Sequence, residues 1–136
     1  MPPEDFSPDD PRGWLIRAAG NLRIARSLLP GVELAELCFN AHQAAEKAIK
    51  AALIKLDIPY PHVHDLRRLF RLFAEAGIAV PGRVAEAARL TDYAVRARYP
   101  MSVEERPSSE EHGRALADAE TVLHWAEEII GFSTGI

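Results

Sequence analysis

The sequence predicts an all-α protein, a five-helix up-and-down bundle. Apolar residues recur at three- and four-residue spacings along most of the chain. Caps, glycines and prolines punctuate these stretches where helices must start and stop. No segment shows the period-two alternation of a strand. At 136 residues the chain fits one domain, and a domain of this size can bury about two-thirds of its unfolded surface without disulfides or metals.

The first helix is expected over 9–29. Asp9-Asp10-Pro11 provides a cap followed by proline in the first turn. Leu15, Ala18, Leu22, Ala25 and Leu29 then form one stripe, and Pro30-Gly31 stops it. The second and longest helix is expected over 32–57, with a stripe of Leu34, Leu37, Cys38, Ala41, Ala45, Ala48, Ala52 and Leu56. Its alanines let a neighbouring helix approach closely. Pro59 and Pro61 end it. A third helix covers 65–76, with Leu66, Leu69, Phe70 and Phe73 inward and Gly77 closing it. A fourth runs from 83 to about 98, with Val84, Ala88 or Ala87, Thr91 and Val95 on one side, and stops near Pro100. Residues 101–107 read as an exposed loop. Ser108-x-x-Glu111 is a capping box for a last helix that carries Leu116, Ala119, Leu123, Ala126 and Ile130 before Gly131. The expected division is a tail at 1–8, one bundle at 9–131 and a tail at 132–136.

Composition narrows the function classes. The net charge of −4 argues against a general nucleic-acid coat. The charge is uneven: residues 13–100 carry thirteen bases against eight acids, whereas 101–136 carry eight acids and two bases. A basic middle leaves room for one local anion-binding face. Cys38 is the single cysteine, so it forms no internal disulfide and reads as a small buried hydrophobe. The acidic, proline-rich start lacks the basic and apolar regions of a signal peptide. No apolar run approaches the roughly 18 residues of a membrane span. A cytoplasmic protein without a membrane partner is expected.

A family resemblance rests on several motifs in order. The run from Cys38 to Leu53 contains Gln43-Ala-Ala-Glu46-Lys47-Ala-Ile-Lys50 and resembles the signature helix of HEPN domains. Trp14-Leu15 with Ala18, Leu22 and Ala25 resembles the family's first helix. His64-Asp65-Leu66 is similar to its motif after the long helix, and Tyr93 with Arg98-Tyr99-Pro100 to its fourth-helix ending. The apolar spacing through Trp125 resembles its last helix, so the likeness spans about 14–128. It implies a bundle of HEPN type, related to the helical domain of nucleotidyltransferases. It further implies a homodimer, a nucleotide or RNA ligand and, as partner, a nucleotidyltransferase encoded nearby, in some cases as a toxin–antitoxin pair.

The resemblance also raises ribonuclease chemistry. Family members that cleave RNA without metal use an arginine followed after four to six residues by a histidine. Histidine supplies a base or acid near neutrality, and arginine a fixed cation at the phosphate. The matching pair here is Arg106 and His112, with five residues between. It straddles a loop and a capped helix start, and with thirteen arginines and five histidines such a match is expected by chance. The family position for the arginine is better matched by Arg98, which no histidine follows at that spacing. The sequence thus departs from the catalytic pattern. A partner protein that binds nucleotide, RNA or a nucleotidyltransferase is the leading reading. A metal-independent ribonuclease toxin using Arg98 or Arg106 with His112 is the alternative, and a purely structural assembly bundle the third.

Among binding candidates, Arg98 beside Tyr99 and near Arg96 could hold a phosphate while the ring stacks on a base; alternatively Arg98 caps the helix end and Tyr99 packs. Gln43, Glu46, Lys47 and Lys50 share one side of the long helix. They read either as a polar strip lining a cleft or dimer seam, or as a surface salt bridge of Glu46 with Lys50. His42 lies one turn before Glu46, an arrangement that more often gives a local hydrogen bond than a proton carrier. His62 and His64 with Asp65 have too few further ligands for a metal site, and His64 is expected to help Asp65 cap the third helix. His124 beside Trp125 reads as structural. With no glycine-rich phosphate loop and no nucleophile elbow, no cofactor is expected.

Overall fold

The computed structural model describes residues 2–100 and 102–136, so Met101, in the stretch expected as a loop, lies outside the described residues. Every regular element among the described residues is helical.

Helix α1 spans Pro11–Arg26. The Asp10 carboxylate accepts from the Arg12 amide at 2.9 Å and pairs with the Arg12 guanidinium at 2.7 Å, satisfying a donor that the first turn leaves free. The helix stops three residues before the expected Leu29. The Ser27 hydroxyl and amide both donate to the Ile24 carbonyl, at 2.6 and 3.0 Å, which turns the chain out of the helix. Leu29, expected in the apolar stripe, is therefore exposed.

Helix α2 spans Leu34–Lys55. It is the central helix, flanked by α1 and by the last helix α6, Ser109–Ile130. Ala41, Ala44, Ala45, Ala48, Ala51 and Ala52 of α2 are wholly buried. With only a methyl group at each contact, helices can approach on both sides, and the long helix is buried over most of its circumference. Asp57 adopts a left-handed conformation with φ of 56° at the exit of α2, a role that Asp tolerates better than most side chains.

Helix α3, Leu66–Glu75, is capped by Asp65, whose side chain accepts from the Arg67 amide at 3.0 Å. Its Leu66, Leu69, Phe70 and Phe73 are buried, and Phe73 and Phe70 meet Trp125 of α6 edge-to-face with centroids 5.1 and 6.1 Å apart. Gly77, φ 79°, supplies the left-handed residue that follows.

The expected fourth helix is divided. It comprises α4 at Gly82–Ala85, a 3-10 stretch at Glu86–Leu90 and α5 at Thr91–Arg96. The 3-10 stretch buries Ala87, Ala88 and Leu90 while Arg89 forks onto Asp118 of α6 at 2.7 and 2.9 Å, a two-point bond that fixes this stretch of chain to its neighbour. Thr91 accepts from the Leu66 amide at 3.0 Å, satisfying an orphan donor at the start of α3. Val95, expected on the inner side, is exposed. Val103–Glu105 form a short 3-10 turn. The Ser108–Glu111 capping box is present, and Gly131 ends α6 with φ of 76°.

Candidate functional site

The polar residues of α2 separate into three surroundings. The first is a buried charged pair. Lys50 Nζ donates to Glu46 Oε2 at 3.0 Å, and the two side chains are only 8% and 6% exposed. A surface salt bridge was one reading of this i,i+4 pair; the structure corrects it to a buried one, because α2 is enclosed where these residues sit. Glu46 is fully engaged, since its second oxygen accepts from His64 Nδ1 at 2.8 Å. Lys50 also lies over the Tyr60 ring, 5.8 Å from its centroid. Burying two charges is costly unless both are paired and hydrogen-bonded, and here each is.

The second surrounding holds the two histidines. His42 is wholly buried, and its Nε2 donates to the His64 carbonyl at 2.9 Å while Nδ1 lies 3.2 Å from the Gln43 side-chain amide. Burial pushes the His42 pKa below its ordinary value, against the opposing pull of the His64 carbonyl and the Glu46 charge. His64 therefore does not cap α3; Asp65 does so alone. The His64 backbone is held by His42 and its ring by Glu46, while its side chain remains 58% exposed.

The third surrounding is the α1 face. Lys47 Nζ donates to Asn21 Oδ1 at 2.7 Å, and Asn21 donates to Asn40 at 3.0 Å. Burial first, and then Arg17, lower the Lys47 pKa. Lys47 thus joins α1 to α2 and is not brought beside Arg98.

A cleft of about 240 Å³ opens between α2, the segment leading into α3 and the end of α5, lined by Glu36, Phe39, Gln43, His64, Ala97 and Arg98. This is where the structure gathers sequence candidates: Gln43 and Arg98 line the one cleft, with Glu46 behind through His64. Tyr99, 68% exposed, stands on the surface next to it in sequence. Arg96 is turned elsewhere. It donates to the Glu105 carbonyl, covers the Tyr93 ring at 5.5 Å and lies 3.8 Å from Glu111. Beneath it, burial raises the Tyr93 pKa to about 12 and the Cys38 thiol to about 11, so Cys38 is a protonated core residue.

Arg106 and His112 have different roles in the packing. His112 is buried, and its Nε2 donates to the Ala25 carbonyl of α1 at 2.7 Å. That bond serves one of the carbonyls left open at the end of α1. Arg106 is exposed beside Pro107 and the start of α2. A larger hollow of about 1080 Å³ lies at the far end of the bundle and includes Asp10, Arg12, Asp57 and Tyr60. Its size alone does not recommend it: it is wide, and its Arg12 is already committed to Asp10. Among the described residues, no group of three or more His, Cys, Asp or Glu is placed to hold a metal ion. No described helix is long and apolar enough to cross a membrane.

Comparison with known proteins fits this architecture. A model of the HEPN domain matches residues 11–129. The chain belongs to the HEPN family. Among solved structures, TT1696 from Thermus thermophilus is similar at 29% identity and a TM-score of 0.72, over 89% of this chain and 98% of that one. ST0689, an archaeal HEPN homologue, shares the fold at 22% identity and a TM-score of 0.72, over 88% of this chain and 97% of that one. No protein of curated function matches the chain.

His64 is the residue that sequence reasoning missed. Its partner Glu46 lies 18 positions away across the turn into α3, so no local spacing pairs them. The sequence predicts for His64 a share in capping the third helix, a task that Asp65 fills alone.

Proposed function

We propose that this HEPN protein is a dimeric binding module whose Arg98 cleft takes a nucleotide or an RNA end or else docks a cognate nucleotidyltransferase, the arrangement that in some family members forms a toxin–antitoxin pair. The observation that carries the reading is that Arg98, Gln43 and Phe39 line one cleft. Arginine presents a planar fork to phosphate oxygens. A glutamine amide donates and accepts at a base or sugar edge, and an aromatic ring offers a stacking face. At about 240 Å³ the cleft lies below the roughly 300–1,000 Å³ of whole-ligand pockets, so it takes the end of a nucleotide or of a chain and not all of it. Arg98 has no carboxylate partner among the described ion pairs, whereas Arg12, Arg26, Arg89 and Arg96 each have one. The buried His112 supports binding over the Arg106–His112 ribonuclease, because the nitrogen that bonds Ala25 is already occupied.

The test is isothermal titration of the purified protein with AMP and with a short 5′-phosphorylated RNA. Wild type binds, and Arg98→Ala weakens binding about tenfold or more, the worth of a charge-assisted hydrogen bond. Absence of binding to both ligands, or equal binding by Arg98→Ala, contradicts the reading.

A further inference from the structure

The Arg98 cleft contains a titratable ring whose orientation is set from behind. His64 Nδ1 lies 2.8 Å from Glu46 Oε1. An ionised carboxylate only accepts, so Nδ1 carries the hydrogen. In the neutral ring the lone pair is then on Nε2, the nitrogen away from Glu46. Glu46 is fixed by Lys50 at 3.0 Å, and the His64 backbone by His42 at 2.9 Å. Three α2 side chains thus hold one half-exposed histidine that lines the same cleft as Arg98. Lys50 already partners Glu46, so the pair does not need His64 for charge balance.

We propose that His64 is a ligand-contacting residue of this cleft, and that the ligand is the terminal phosphate monoester of a nucleotide, bound with uptake of one proton by His64. This rests on the reading that the cleft takes nucleotides. The proton comes from solvent and adds to Nε2, which then donates to a phosphate oxygen; no covalent bond forms or breaks. Arg98 and the imidazolium together match the two negative charges of a monoester, which has one more charge than the diester linkage of a strand. Histidine is the side chain whose charge changes most readily near neutrality, so a bound dianion can recruit the proton. The other charged groups around the ring are accounted for. Glu46 and Lys50 neutralise each other. His42 is buried and bonded through Nε2. Asp65 caps α3. Glu36 is the carboxylate among the residues that line the cleft.

The experiment is titration calorimetry at pH 7.5 in buffers of different ionisation enthalpy, which counts protons taken up on binding. The probes are AMP, adenosine, and one RNA oligonucleotide with either a 5′-phosphate or a 5′-hydroxyl. The expected result is uptake approaching one proton with AMP and with the 5′-phosphorylated RNA, and about tenfold weaker binding without uptake for the phosphate-free probes. His64→Gln, which keeps a polar group toward Glu46 but cannot take the proton, abolishes uptake and weakens AMP binding by a similar factor. If AMP binds wild type with no proton uptake, or if uptake persists in His64→Gln because Glu36 or the phosphate takes the proton, this inference is overturned while the nucleotide reading stands. If AMP and the phosphorylated RNA do not bind at all, both fall. The wild-type buffer series needs no variant, so a misfolded His64→Gln cannot shield the proposal.

Discussion

His64 and His112 occupy opposite situations in one bundle. His112 is buried on α6 and commits its Nε2 to the Ala25 carbonyl of α1. His64 is more than half exposed in side chain, and only its Nδ1 is engaged, by a buried carboxylate. Both are near arginines in some sense, His112 near Arg106 in sequence and His64 near Arg98 across a cleft. The difference teaches that spacing along the chain finds pairs of residue types but not which ring nitrogen is left for a ligand. That depends on helix ends and buried partners supplied from elsewhere in the fold.

The largest expected effect separates the two rings by stability. His112→Ala removes a packed side chain and leaves the buried Ala25 carbonyl without its donor. It should cost about 2–4 kcal/mol, combining cavity and unpaired-acceptor terms, read as a lower urea midpoint, with AMP affinity per folded molecule unchanged. A stable His112→Ala protein with lost binding would invert the assignment of the two histidines.

A smaller effect comes from His42, which anchors the His64 backbone. Burial depresses its pKa in the folded state. As pH falls below the ordinary histidine value of about 6.5, the unfolded chain takes up a proton that the folded chain resists, so stability declines with acidity. Above that value both states are neutral there, and this group adds no pH dependence. The slope is at most about 1.4 kcal/mol per pH unit for one proton. Urea unfolding at pH 5 and pH 8 should show a smaller acid loss in His42→Gln than in wild type. An identical loss would mean that His42 is not the group excluded from protonation.

Much of the fold was legible in sequence because its signals are local. Asp10, Asp65 and Ser108 cap the helices for which their positions predicted caps, and Gly77 and Gly131 sit at the left-handed exits. Leu29 and Val95 were misplaced for a physical reason: periodicity extends a stripe as far as apolar residues continue, but Ser27 ends α1 by bonding its own backbone and the fourth helix is wound in three pieces. At the site, Arg98 and Gln43 were readable as residue types with a task. The sorting of Glu46, Lys47 and Lys50 into two environments was not, because an alanine-rich helix enclosed on several sides has no single polar face. His64 escaped because it lies in a connecting segment and its partners, His42 and Glu46, are 22 and 18 positions away on α2.

The most direct test of the central claim is a ¹H–¹⁵N NMR titration with AMP, supplemented by histidine side-chain correlations. Shifts concentrated at Gln43, His64 and Arg98, with the His112 ring and Arg106 unmoved, are the predicted result. Shifts concentrated at Arg106 and His112, with His64 silent, would contradict it and restore the pair of Arg106, in the loop before the last helix, and His112 as the site.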